Sequence, residues 1–485
     1  MVMLHALKPC LAVAGLVLAS LLPSPATAVD DYGLPQLGSG GAGAAGAEEY
    51  RLGRAWLRQF RARAPAWQDP ITQDYVESVI SRLLPHSDLA DNRTTVTLVD
   101  SRLLNAFAVP GGVIGVNSGL FAFAEEEDAF ASVVAHELGH LSQRHYARQV
   151  SRAEQTQVPA MAAMLAGMLI AAGGGGDAGI GVAMGSQAAF IQDQLAYSRR
   201  FEQEADRIGL QAMARAGYDP QAMVRMFRSM QRMASLQGGN PPEFLLTHPV
   251  TESRITDTEA RASQLSARER REAGPRYDLV RARALVSVNR DNLGQAGARL
   301  AQSDPEPQVR RYLEALIAAE RGHHGAALET LDALANELPD LPMLPVTAAE
   351  VAYDAGDYAA AIERSRRVLR LMPDYAPASR VLGEALLQRD PDEAYRVLRD
   401  LSERRQEDPQ VFALLAEAAG RSGRDGWGHL ARAEHLQLTG RIDSAIRQLL
   451  VARDSARQAG DASLESRIEQ RREAFMEYRE ALEKF

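Results

Sequence analysis

The sequence predicts a mainly α-helical protein in two parts: a mixed α+β region with a small sheet, and then a solenoid of paired helices. The chain of 485 residues is too long for one ordinary domain, and its 46% hydrophobic and 24% charged residues are globular values. Strand-like and helix-like patterns alternate before residue 267, whereas Ala, Leu, Arg and Glu dominate after residue 275. The second half also repeats at a spacing of 34 residues.

The N-terminus has the features of a cleaved secretory signal peptide spanning residues 1–28. It carries one early cation, Lys8, a short apolar run at residues 11–19, and an Ala-x-Ala cleavage signal at residues 26–28. The run is shorter than the ~20 residues that a membrane span requires. We therefore expect a mature protein that is secreted into a bacterial periplasm.

Cys10 is the only cysteine and would be removed with the signal peptide, so the mature chain would have no disulfide and no cysteine-bound metal. Loss of Lys8, the one charged residue in 1–28, changes the formal net charge from −9 to −10. Such an acidic chain is a poor binder of nucleic acid, and we expect no nucleic-acid partner. The glycine-rich stretch that follows, within residues 29–47, is predicted to be a flexible linker.

Two helices and a small sheet are predicted next. Apolar residues recur at helical spacing in 50–60 and 71–84, and β-branched or apolar runs at 94–99, 106–109 and 113–116 indicate strands. Pro110-Gly111-Gly112 predicts a hairpin turn between the last two strands. The hairpin is either purely structural or an edge to which a substrate strand can pair.

The following helix contains an HExxH motif, formed by His136, Glu137 and His140. Because each helical residue advances by about 100°, the two histidines lie on one face and can share one zinc ion. Glu137 is turned away from that face, at the position of a general base for a metal-bound water. The alternative is an ordinary solvated helix face. We expect this helix to continue through residues 143–146, which would turn His145 away from the site as a structural histidine.

A second helical stretch supplies the carboxylate that a catalytic zinc requires. Glu202 and Asp206 are four residues apart and share a helix face, whereas Glu204 points about 200° away from Glu202. Glu202 is therefore the predicted third ligand. Asp206 is placed to accept a hydrogen bond from the far nitrogen of a ligating histidine.

The apolar segment at residues 158–190 lies between these two helices in sequence. Its first fifteen residues are too few to cross a bilayer comfortably, and a glycine run follows them. We interpret it as an active-site flap, a peripheral membrane contact or plain core.

The sequences HELGH at 136–140, EQEAD at 202–206 and Asn-Ala-Phe-Ala at 105–108 resemble the M48 family of zinc metallopeptidases. The resemblance implies a zincin-like domain binding one zinc ion through His136, His140 and Glu202, with Glu137 as base.

The secretion signal, the Thr247-His248-Pro249 stretch and the helical tail resemble periplasmic members of that family. The resemblance implies that His248 lies near the metal, where a loop histidine can occupy the open position and keep the enzyme latent. It also implies that Arg254 lies near the site. Outer-membrane β-barrel precursors as substrates, and contact with the barrel-assembly machinery, follow from the resemblance alone.

The second half has the period of tetratricopeptide repeats. Gly322, Ala327 and Pro339 recur 34 residues later as Gly356, Ala361 and Pro373. This period is typical of stacked helix pairs with small residues at their contacts. The pattern becomes irregular after residue 390, and we expect about four pairs.

The sequence thus predicts a metalloprotease domain at 48–266 and a tetratricopeptide-like domain at 275–485. The predicted function is a periplasmic zinc endopeptidase that assists or degrades polypeptide substrates. One alternative is a chaperone or adaptor in which the solenoid acts and the metal site is mostly latent. The other is a peptidase anchored to a membrane by residues 158–172.

Overall fold

The computed structural model describes residues 42–152, 198–236, 243–267 and 274–482. The predicted signal peptide, most of the predicted linker, the apolar segment at 158–190 and residues 268–273 at the predicted domain boundary lie outside them. Within the described ranges, every helix is too short or too polar to cross a bilayer.

The N-terminal region is formed by helices around a small sheet. The helix at Pro70–Leu83 begins with two residues that favour a helix start. Asp69 caps its first turn by accepting from the backbone N–H of Thr72, and Pro70 occupies the first turn. The helices are α1 (Ala42–Arg61), α2 (Pro70–Leu83), α3 (Ser118–Phe123), α4 (Glu127–Ser142), α5 (145–152), α6 (198–215), α7 (Gln221–Leu236), α8 (Glu243–Thr247) and α9 (Glu252–Ala262).

The sheet has three strands, β1 (Thr95–Val99), β2 (Ala106–Val109) and β3 (Val113–Asn117), in the order β1-β3-β2. Strands β2 and β3 are antiparallel and joined at Gly111 and Gly112, both with positive φ, so the predicted hairpin is confirmed. Strand β1 runs parallel to β3. The edge strand β2 packs beside α4.

Two boundaries differ from the sequence-based expectations. Helix α1 begins at Ala42, inside the stretch for which we predicted a flexible linker. Helix α4 ends at Ser142, so the prediction that it continues through residue 146 is wrong. Arg144 has φ +50°, in the left-handed region, and this residue redirects the chain into α5.

The repeat region, which the structure describes from residue 275 to residue 482, consists of helices that each pack on the next one in sequence. Twelve helices are described between Arg276 and Leu482, more than the four pairs expected. Gly322 and Gly356, the repeating glycines, both have positive φ at the turn within a pair. The helices are α10 (Arg276–Val288), α11 (Leu293–Ala301), α12 (Pro307–Glu320), α13 (His324–Glu337), α14 (Met343–Asp354), α15 (Tyr358–Leu371), α16 (Ala376–Leu387), α17 (Pro391–Arg404), α18 (Pro409–Arg421), α19 (Asp425–Leu438), α20 (Ile442–Ala459) and α21 (Ala462–Leu482).

The first helix of the repeat region is part of the N-terminal core. Tyr277 on α10 is buried against Tyr75, Phe121 and Phe130, with ring centroids between 5.9 and 6.3 Å from its own. Its hydroxyl donates to the backbone oxygen of Ala124 over 2.6 Å. Because Phe130 belongs to α4, the HExxH helix packs directly against the start of the repeats.

Helix α1 joins the hairpin to the last repeats. Gly53 packs so closely on the hairpin turn that a Cβ there would lie 2.0 Å from the backbone oxygen of Pro110. Further along α1, buried Arg58 donates to the Gln437 side chain of α19 over 2.5 Å, and its guanidinium lies 4.1 Å from the ring centroid of Tyr478. The helix therefore contacts both the β2–β3 hairpin and the last repeat helices.

The contact between α1 and the repeats can be tested with two glycines of similar conformation. Gly440 and Gly460 have φ values of +77° and +68°, so alanine strains the backbone at both. A Cβ at Gly440 would also lie 2.5 Å from the backbone oxygen of Arg58, whereas a Cβ at Gly460 meets nothing within 4 Å. We expect Gly440→Ala to lower the free energy of unfolding by about 1–3 kcal/mol more than Gly460→Ala. Thermal unfolding of both variants measures this difference, and equal destabilisation would argue against the α1 contact.

Candidate active site

The site forms where α4 and α6 approach within backbone contact. A Cβ at Gly139 would lie 2.8 Å from the backbone oxygen of Ala205, and a Cβ at Gly209 would lie 3.1 Å from the backbone nitrogen of His136. Side chains larger than hydrogen at these positions would separate the two helices. The close approach brings Glu202 on α6 to the histidine face of α4.

Four residues that the sequence analysis placed at or near the metal lie close together there. His136, His140, Glu202 and His248 each offer one ligand atom, and these atoms lie within 4.8 Å of one another. The Nε2 atoms of His136 and His140 are 3.0 Å apart. The Glu202 carboxylate lies 3.5 Å from His136 Nε2 and 3.4 Å from His140 Nε2. Such nitrogen and oxygen donors facing one point form a typical site for a divalent transition metal.

Asp206 and Arg254 form the outer side of the site. Asp206 Oδ1 accepts from Nδ1 of His136 over 2.9 Å, at the position predicted from the helix face. Arg254 donates to both oxygens of Asp206 over 2.7 and 2.8 Å, and its third nitrogen lies 2.9 Å from Glu202 Oε2. Sequence reasoning placed Arg254 near the site only through the family resemblance.

The charges around the metal-ligand atoms suit a bound cation. Burial lowers the pKa of His136, but hydrogen bonds to Asp206 and Glu202 outweigh burial and raise this pKa to about 10. Burial raises the pKa of Glu202, but its hydrogen bonds to the three histidines hold that pKa well below its usual range. The carboxylates therefore stabilise a positive charge among the imidazoles. A metal ion bound by these residues would supply that charge and displace the proton.

Glu137 is buried beside the cluster and is not among its four ligand residues. Its Oε1 atom has no hydrogen-bond partner among the residues that the structure describes, and His248 Nε2 lies 3.6 Å away. Burial raises the pKa of this carboxyl, whereas the charges of His248 and His136 and a hydrogen bond from the backbone of Ala108 on β2 lower it to a smaller extent. A carboxylate with a raised pKa is a stronger base than a solvated one, which suits proton transfer.

His248 reaches the cluster from a loop that Arg254 anchors. Its Nδ1 lies 3.3 Å from His136 Nε2 and 3.1 Å from Glu202 Oε1. Its ring stacks on Phe244 with centroids 4.7 Å apart, and Arg254 donates to the backbone oxygen of the neighbouring Pro249 over 2.8 Å. The loop histidine is thus close enough to act as a fourth ligand.

His145 lies outside the cluster of four ligand atoms, but it is close to it. Its Nδ1 is 2.9 Å from Nδ1 of His140, and its Nε2 is 3.1 Å from Oε2 of Glu204. Sequence reasoning assumed a continuous helix and missed both contacts. The spacing carried no signal for them, because the break at Arg144 is what turns His145 back toward His140.

The HExxH helix, the nearby Glu202 carboxylate and the buried Glu137 define the chain as a metallopeptidase with a C-terminal region of helical repeats. The sequence profile of peptidase family M48 matches residues 70–262, and that of the tetratricopeptide repeat matches residues 352–418. The chain is 30% identical over 470 residues to the beta-barrel assembly-enhancing protease of Escherichia coli (strain K12), an alignment that covers 95% of each protein. The chain belongs to peptidase family M48.

Two further relatives show how far the similarity extends. The beta-barrel assembly-enhancing protease of Yersinia pestis is 29% identical over 459 residues, covering 92% of this chain and 94% of that protein. The mitochondrial metalloendopeptidase OMA1 of Schizosaccharomyces pombe is 31% identical over 190 residues, covering 38% of this chain and 51% of that protein. Similarity to the first relative therefore includes the repeats, whereas similarity to the second covers a much shorter part of the chain.

The close approach of α4 and α6 can be tested at Gly139. We expect Gly139→Ala to weaken metal binding and peptide hydrolysis at least about tenfold, because the added Cβ meets the backbone of Ala205 and moves Glu202 away from the histidines. Gly297→Ala, in helix α11 with nothing within 4 Å of its Cβ, is the matched control. Chelator competition and hydrolysis of an unfolded protein measure the two effects. A Gly139→Ala protein with the metal affinity of the control would contradict the proposed helix contact.

Proposed function

We propose that this metallopeptidase is a zinc endopeptidase of the periplasm that acts on outer-membrane β-barrel proteins. The four ligand atoms within 4.8 Å, with a buried carboxylate beside them whose Oε1 has no hydrogen-bond partner among the described residues, carry the proposal. Two histidines and a glutamate are a known catalytic zinc set. The substrate class rests on the names of the relatives from Escherichia coli and Yersinia pestis, and the periplasm rests on the secretion signal in residues 1–28.

The roles we assign to the residues follow from their positions. His136, His140 and Glu202 would hold the metal, and Asp206 would orient His136. Zinc, when bound, supplies Lewis acidity for water and for a peptide carbonyl. Glu137 takes the proton of the attacking water and then transfers it to the amine leaving group.

Strand β2 is proposed to bind the substrate backbone. It is an edge of the described sheet, it packs beside α4, and the backbone of Ala108 hydrogen-bonds to Glu137. A substrate strand paired to this edge would run past the general base. Backbone pairing is independent of side chains, which suits a peptidase that accepts many sequences.

The base role of Glu137 predicts separate effects on binding and hydrolysis. We expect Glu137→Gln to keep the metal and the fold but to lower peptide hydrolysis by at least about 10²-fold, because the amide cannot accept the proton. Glu126→Gln, in the half-exposed residue just before α4, is the control. Metal content and hydrolysis are measured on the same preparations. Hydrolysis retained in Glu137→Gln would remove Glu137 from the base role.

His248 is proposed to occupy the open coordination position and to keep the enzyme latent. Its Nδ1 lies among the ligand atoms, so it would compete with water there. We expect His248→Ala to raise hydrolysis several-fold in purified protein, whereas His323→Ala, at an exposed position in the repeats, leaves it unchanged. Unchanged or abolished activity in His248→Ala would contradict the latch, and abolished activity would indicate a direct catalytic role.

A chaperone or adaptor is the second candidate, favoured by the same His248 position. A resting site closed by a fourth ligand is compatible with a protein whose repeats bind clients without cleaving them. We propose that the metalloprotease domain spans 48–266 and the tetratricopeptide-like domain 275–485, with the latter contacting polypeptide clients and the barrel-assembly machinery. Restoration of barrel assembly in cells by Glu137→Gln would support the second candidate.

A further inference from the structure

Each of the two histidines of α4 is hydrogen-bonded, through the ring nitrogen that faces away from the cluster, to a series of polar side chains. His136 is held by Asp206, which is paired with Arg254. His140 is held by His145, whose other nitrogen lies 3.1 Å from Glu204. Glu204 in turn accepts from Arg148 over 2.7 Å. Each series thus leads from a ligand histidine to a carboxylate paired with an arginine.

In the second series of hydrogen bonds, the orientation of His140 decides which nitrogens donate and which accept. Its Nε2 points to the cluster, 3.4 Å from Glu202 Oε1, so a metal would bind there and the ring proton would lie on Nδ1. That Nδ1–H can donate to Nδ1 of His145, 2.9 Å away, only if His145 carries its own proton on Nε2. The Nε2–H of His145 then points to the Glu204 carboxylate, which accepts it. One arrangement of protons therefore satisfies both rings.

Two features hold His145 in this position. The left-handed conformation of Arg144 ends α4 and redirects the chain, and the Arg144 guanidinium donates to Glu49 of α1 over 2.8 Å. The His145 ring is buried and stacks on Phe201 of α6, with centroids 4.2 Å apart and planes 17° from parallel. The ring can therefore neither rotate freely nor exchange its partners for water.

We propose that His145 is a positioning residue for the metallopeptidase site: it fixes the tautomer and orientation of His140 through the series His140–His145–Glu204. This inference rests on the proposed function, because it assumes that His140 binds the metal through Nε2. Glu204, which sequence reasoning turned away from the site, acts at the end of the series. The helix break at residues 143 and 144 serves to bring His145 to the back of His140.

The test separates the hydrogen bonds from the packing. His145→Phe keeps an aromatic ring on Phe201 but removes both ring nitrogens, and we expect it to weaken zinc binding about 10–100-fold, the usual effect of losing such a partner. Phe201→Leu removes the ring stack and leaves the nitrogens, so we expect a lower Tm and a clearly smaller loss of zinc affinity than in His145→Phe. His145→Gln can both accept from His140 and donate to Glu204, and we expect it to restore most of the affinity. Chelator competition on the full chain measures all three.

A second measurement and a second variant keep the test decisive. The visible absorption bands of the cobalt-loaded protein report ligand geometry, and we expect them to change more in His145→Phe than in Phe201→Leu. If His145→Phe does not fold, Glu204→Ala replaces it, because Glu204 is half-exposed and ends the hydrogen-bonded series. We expect this variant to lose zinc affinity by at least about threefold.

Parent-like zinc affinity in His145→Phe, or in Glu204→Ala if that variant replaces it, would overturn the proposal. So would equal losses in His145→Phe and Phe201→Leu, because packing alone would then explain them. Failure of the proposed function has a different result: His140→Ala would bind zinc as tightly as the parent. The His145 variants are interpreted only against a parent whose affinity depends on His140.

Discussion

The site depends on compensating the charge of three buried carboxyl groups. Glu137, Glu202 and Asp206 are almost fully excluded from solvent. A buried charge without a partner costs several kcal/mol, so each group requires a cation or a proton. Arg254 meets this need for two of them by spanning Asp206 and Glu202. The same guanidinium holds the backbone of Pro249, so the charge balance also fixes the loop that carries His248.

The need for charge compensation gives the carboxyl groups of Asp206 and Glu137 different environments. Asp206, with a pKa that Arg254 lowers against the effect of burial, is held as an anion that orients His136. Glu137, with a pKa that burial raises, lies next to the cluster, and no described residue hydrogen-bonds to its Oε1. In the proposed mechanism, the Asp206 anion would fix the orientation of His136 and Glu137 would accept a proton. A peptidase site requires both within a few ångströms.

The HExxH helix takes part in the contact between the peptidase region and the repeats. Phe130 at its N-terminal half packs on Tyr277 of the first repeat helix, and Arg144 just beyond its C-terminal end pairs with Glu49 of α1. Helix α1 continues to Arg58 and the last repeats. These contacts connect both ends of the described repeats to the helix that carries the site.

The sequence by itself determined the local features, because helix and strand periods place nearby residues without reference to the rest of the chain. His136 and His140 share a face at a spacing of four, Asp206 follows Glu202 on the same face, and the β2–β3 hairpin forms at its glycine turn.

Only the tertiary structure decided which side chains hydrogen-bond to these residues. Arg254 reaches Asp206 across 48 positions, and His145 reaches His140 through a break in the helix that its spacing does not reveal. Contacts between distant segments depend on how helices pack, and at Gly139 that packing allows backbones to touch. Periodicity describes one helix at a time, whereas the completed site is a property of several helices packed together.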